Sequence, residues 1–123
     1  MVKDQKRWRL FKDLKKGKFC FLIGVDNWSI ELQKSEFNSL YLLLLKINEQ
    51  LKIIKKELME EESIALVLEQ LPWFIELEGD KYEWGLRLVF ESQDETRSFE
   101  MYWPIPIAQT LFYEIKNMWE SMN

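Results

Sequence analysis

The stretch SEFNSLYLLLLKINEQLKIIKKEL, residues 35–58, changes the hydrophobic period of the chain from two to 3.6. Phe37, Leu40, Tyr41, Leu44, Ile47, Leu51, Ile54 and Leu58 recur at steps of three and four and so share one stripe of an α-helix. Ser35 is expected as the N-cap, with Glu36 in the first turn, where the helix dipole favours an acid. The ~24 residues to Leu58 would reach about 36 Å, enough to cross a sheet. Leu42, Leu43 and Leu45 lie off the stripe, so the helix is apolar over more of its circumference than one sheet requires. These three are a candidate interaction surface for a second copy or another protein.

Before this helix the chain alternates. Trp8 and Leu10 oppose Arg7, Arg9 and Phe11 over Lys6 to Lys12, the pattern of a half-buried strand. A basic turn at Lys15-Lys16-Gly17 leads to Lys18 to Ile23, apolar on both faces, and then to a turn at Asp26-Asn27. Trp28, Ile30 and Leu32 against Ser29, Glu31 and Gln33 make a third strand. After the helix, Ile64 to Glu69, Trp73 to Glu78, Tyr82 to Glu91 and Phe99 to Trp103 alternate again, with turns at Pro72, Gly79-Asp80 and Gln93-Asp94. Pro104 and Pro106 stop the sheet and open a helix with the stripe Ile107, Leu111, Phe112, Ile115, Met118 and Trp119. The fold class is α+β in the order βββ-α-ββββ-α, all antiparallel, with a long central helix and a C-terminal helix packed on the sheet. Residues 1–123 are expected to form one domain.

Several words of this sequence, taken in order, resemble a small cyanobacterial family of unknown function, domain of unknown function 1818. They are WRL at Trp8, LIG at Leu22, WSIEL at Trp28, SEF at Ser35, ELMEEE at Glu57, WFIELEG at Trp73, LRL at Leu86 and YWP at Tyr102. The resemblance implies the Whirly-like fold of the Whirly and positive-cofactor-four single-strand DNA-binding regulators, a curved antiparallel sheet in each half with helices behind. It implies no activity and no site residues. The amino terminus is more basic here than the family pattern leads one to expect.

Composition excludes much chemistry. The chain has no His, which removes the commonest base near neutral pH, and its single Cys rules out an intramolecular disulfide and makes zinc improbable. Its four glycines form no phosphate-cradling pattern, and Cys20 sits in an apolar run as a small core residue. No catalytic residue, metal, cofactor or small-molecule substrate is inferred, and the chain is read as not an enzyme. No stretch is long enough to cross a bilayer, there is no signal-like start, and the expected compartment is the cytoplasm.

Charge is lopsided. Residues 1–18 hold eight bases against Asp4 and Asp13, a balance of +6; the rest holds nine bases against nineteen acids, for an overall −4. Arg7, Arg9, Lys12, Lys15, Lys16 and Lys18 are therefore a candidate nucleic-acid contact, opposed by the plainer reading of a solvated hairpin neutralised by the domain's own carboxylates. Outward Glu31, Glu69, Glu76, Glu78, Glu83 and Glu100 would repel a phosphate backbone laid across the sheet. Glu57, Glu60, Glu61 and Glu62 form a candidate acidic patch; Glu57, Glu60 and Glu61, at i, i+3 and i+4, would share a face and bind a cation if the helix persists, or the cluster could hold the basic hairpin. Aromatics divide the same way. Trp8, Trp28, Trp73 and Trp84 are expected in the core, whereas Phe11, Phe74 and Tyr102 fall on the outward face, where bases could stack. Two function classes follow: a non-enzymatic protein-interaction or regulatory module, or a single-stranded nucleic-acid binder using the basic hairpin.

Overall fold

Lys34–Lys55 forms the central helix, α1. The structure, a computed structural model, describes residues 2–4 and 7–122. Glu36 sets the start of α1: its carboxylate accepts the N–H of Gln33 at 2.8 Å, so Gln33 rather than Ser35 is the N-cap. Lys52 and Lys55 lie in the last turn, where cations suit the dipole, and the acids that follow fall outside the helix. That is why α1 stops at Lys55 instead of continuing to Leu58.

The strands before α1 form one antiparallel sheet in the order β1 (Val2–Asp4), β2 (Trp8–Lys12), β3 (Phe21–Val25) and β4 (Trp28–Leu32). The short β1, paired on β2, adds a strand to the three that periodicity indicates. The second of those three starts at Phe21, not Lys18, because β2–β3 pairing ends at Lys12↔Phe21 and the chain then turns through Asp13, whose carbonyl accepts the N–H of Lys16. Lys6, expected at the start of the first strand, lies outside the described residues. Asp26 and Asn27 make the two-residue turn between β3 and β4, with Asp26 at φ 56°.

The second sheet runs β5 (Ile64–Gln70), β6 (Trp73–Gly79), β7 (Trp84–Glu91) and β8 (Ser98–Trp103), all antiparallel. Tyr82 stays outside β7 because the Asp80 carboxylate accepts the N–H groups of Tyr82 and Glu83 at 2.8 and 2.9 Å, holding the segment as a turn. A Cβ on Gly79 would run into the Glu83 carbonyl oxygen, which explains a glycine at this closure. α2 (Ile107–Glu120) follows the two prolines. The layout is thus the expected α+β arrangement of two antiparallel sheets and two helices.

The helices occupy the inner faces of both sheets. α1 lies against β5 and β6, and α2 lies against β7 and β2, tying the sheets together. Phe21 of β3 stacks on Phe37 of α1 at 4.1 Å between centroids, and Trp119 of α2 sits 6.1 and 5.9 Å from them. Trp73 donates its indole N–H to the Glu36 carbonyl at 2.9 Å, so the largest side chain of β6 also fixes the start of α1. Fully buried Phe21 and Phe37 each contribute about 1.5–3 kcal/mol by area alone. Trp8, Trp73 and Trp84 are buried as expected; Trp28 is only partly buried.

Candidate functional site: a groove between two sheet edges

The basic hairpin is largely occupied with the chain's own acceptors. Arg7 donates to the Asp26 carboxylate at 3.1 Å. Arg9 reaches the carbonyls of Asp26 and Trp28 at 3.2 and 3.0 Å, and its guanidinium fills the place a Cβ on Gly24 would take. Lys16 pairs with Glu31, and the Lys18 ammonium lies 5.8 Å from the Phe19 ring centroid. Lys12 is half-buried and Lys15 exposed. A phosphate arriving here would compete with Asp26 and Glu31. The outward aromatics differ too: Phe11 and Phe74 are half-buried, and Tyr102 is open to solvent.

The leucine surface does not hold together. Leu43 is fully buried, because α1 is covered over a wider arc than one sheet spans, with α2 beside it; Leu42 is exposed and Leu45 half-buried. The acidic patch is also dispersed. Glu57, Glu60, Glu61 and Glu62 are exposed in the turn after α1 and share no helical face. Glu60 accepts the Tyr82 hydroxyl at 2.7 Å, which raises the Tyr82 pKa, and Glu62 accepts the N–H of Met59 at 3.1 Å. Among the described residues no group of three ligating side chains could hold a metal ion. Lys16 is paired with Glu31, not with this patch.

Two features escape a reading by period. On the outer face of the second sheet, Arg87 lies between Glu76 and Glu100, donating at 2.7 and 2.5 Å, and its guanidinium stands 5.8 Å from the Phe74 ring centroid. Arg87 holds the Glu76 carboxyl below its ordinary range, yet one cation does not offset Glu69, Glu76, Glu78 and Glu100 together. The other feature is the buried Glu36, which pairs with Arg97; Arg97 also donates to the Glu31 carbonyl at 3.1 Å and lies 4.7 and 5.2 Å from the rings of Phe19 and Phe90.

Arg97 is one wall of the feature that most resembles a binding site. β4 ends the first sheet and β8 ends the second. Their unpaired sides line one groove of about 600 Å³, bounded by Trp28, Ser29 and Ile30 on one side and Thr96, Arg97, Ser98, Phe99 and Glu100 on the other. Trp28 and Phe99 meet across it at 6.0 Å. Backbone polarity at the edges follows from neighbouring hydrogen bonds. The N–H of Ser92 donates to the Arg97 carbonyl at 2.9 Å, so Arg97 and every second residue after it face β7. Ser98, Glu100 and Tyr102 therefore turn their backbone groups to the open side. By the same alternation from the Asp13 to Cys20 bond, Ser29 and Glu31 turn outward on β4. The Glu31 carbonyl, met by Arg97, bears this out.

Known proteins place the chain. The family model described as Domain of unknown function (DUF1818) matches residues 3–118. Among solved structures, the chain is similar to that of a protein with unknown function, described as from the DUF155 family of Prochlorococcus sp. NATL2A. The two are 36% identical over 97% of this chain and 98% of that one, with a TM-score of 0.88. No curated protein matches. Among the described residues no helix is long and apolar enough to cross a membrane.

Proposed function

The chain belongs to the DUF1818 family, and from that premise we propose that it is a non-enzymatic protein-interaction module. Its groove between β4 and β8 takes an extended segment of a partner protein by strand addition. The observation that carries this reading is that two sheets end on unpaired strands facing one another across a groove. A strand laid there gains main-chain hydrogen bonds from Ser98, Glu100 and Tyr102, and its alternate side chains reach the apolar floor of Trp28, Ile30 and Phe99. The backbone bonds supply affinity and the floor supplies selection. The absence of His from the sequence and the burial of Cys20 support a binding role over a chemical one.

The same reading takes the fold as Whirly-like, on the strength of an antiparallel four-stranded sheet followed by a helix in each half, and the compartment as the cytoplasm. A single-stranded nucleic-acid contact at the basic hairpin has less support, since Arg7, Arg9 and Lys16 already serve Asp26, Trp28 and Glu31. Selection of a displayed library of extended peptides on the whole chain tests the proposal. Selected peptides should alternate apolar and polar residues and lose at least about tenfold in affinity with Glu100→Pro, which deletes one outward N–H. Peptides indifferent to that change would overturn the reading.

A further inference from the structure

We infer that β5 is a self-pairing edge through which two copies of this chain join their second sheets into one continuous sheet. β5 and β8 are opposite ends of the same sheet, so this surface is separate from the groove and leaves it open.

The polarity of the β5 edge can be read from one bond. The N–H of Glu91 donates to the Pro72 carbonyl at 3.0 Å. Backbone groups alternate sides along a strand, so the even residues of β6 face β7, while Trp73, Ile75, Leu77 and Gly79 face β5. The register commits Gln70, Leu68, Leu66 and Ile64 to those four. Ala65, Val67 and Glu69 are left with N–H and C=O on the open side. Edges of this kind are normally guarded by lysine, proline, a bulge or brevity. IALVLEQ has no Lys, Pro or Gly over seven residues and a single charge, Glu69 near one end, and Val67 is 58% exposed.

The strand is its own complement. A two-fold axis through Val67 sets Val67 against its copy, Ala65 against Glu69, Leu66 against Leu68 and Ile64 against Gln70. All three outward backbone pairs then meet. The carboxylate of Glu69 faces an alanine, and the half-buried Leu66 and Leu68 face each other on the inner side, beside α1. Other centres fail. An axis through Glu69 opposes two carboxylates, and one through Ala65 pairs only Ile64 to Leu66. The occupant that fits this edge best is therefore a second copy.

Sedimentation velocity of the whole chain over a concentration series tests the inference. The mass should rise from 15.0 kDa towards twice that value. Val67→Lys and Val67→Asp, each placing like charges against one another at the axis, should each stay monomeric with unchanged circular dichroism. Mixing the two should restore association through the opposite charges, and Leu42→Glu should associate like the parent. A parent that stays at 15.0 kDa, association that survives Val67→Lys, a mixture that remains monomeric, or loss with Leu42→Glu would each overturn it.

Discussion

Arg97, at the foot of β8, donates to the carboxylate of Glu36 in the first turn of α1, joining positions 61 residues apart. Glu36 is nine-tenths buried, and its other oxygen caps the helix through Gln33. The pair therefore fixes both the start of α1 and the loop that borders the groove. Removing the cation leaves a buried carboxylate without its partner, so Arg97→Ala should cost about 3 kcal/mol in urea unfolding. Glu36→Gln with Arg97→Met should recover most of that. A double variant as weak as the single one would show that the ion pair itself carries the stability.

Much of this arrangement is legible in the sequence, and the exceptions have physical causes. Alternation of Trp84, Leu86, Leu88 and Phe90 finds β7 because one face must be buried. Arg87 could also have been found, since it stands at an outward position between two glutamate-bearing strands. Arg97 could not: its partners are set by how two sheets meet, and periodicity carries no signal for that. β1 is too short to show a period. Leu43 lies off the stripe and is nevertheless buried, because one helical stripe counts a single covering surface and α2 adds a second. The groove was invisible for the same reason as Arg97, since both edges exist only once the sheets are assembled.

Leu42 and Leu43 are adjacent in sequence and opposite in environment, 41% and 0% exposed. Leu43→Ala should cost about 2–5 kcal/mol, as deletions in a packed core do. Leu42→Ala should stay within about 0.5 kcal/mol. Denaturant midpoints measure both.

Asp94 is held at a pKa of about 2, below its ordinary 3.8, chiefly by the hydroxyl of Thr96 and then by that of Ser92. A carboxyl whose pKa is lowered by folding stabilises the fold above its unfolded value and loses that contribution as pH falls through the folded one. Thermal stability should therefore fall between about pH 4 and pH 2 in part through this group. In Asp94→Asn the decline should be shallower and stability at neutral pH lower. An identical profile would remove Asp94 from the account.

Gly79 closes β6 where a Cβ would meet the Glu83 carbonyl oxygen and approach the Trp84 Cα at 2.6 Å. Both neighbours are backbone and cannot move aside cheaply. Gly79→Ala should destabilise by on the order of 1–3 kcal/mol, whereas Gly17→Ala, strained by a φ of 103° but with no atom within 4 Å of the added Cβ, should be limited to the conformational term. Paired melting curves of the two variants separate crowding from strain.

The groove itself is tested most directly by amide hydrogen exchange with a selected extended peptide bound. Strand addition predicts that the amides of Ser98, Glu100 and Tyr102, which turn away from β7, slow markedly, while those of Phe99 and Met101 change little because they already bond to β7. Saturating peptide that leaves Ser98, Glu100 and Tyr102 exchanging at the free rate would contradict strand addition.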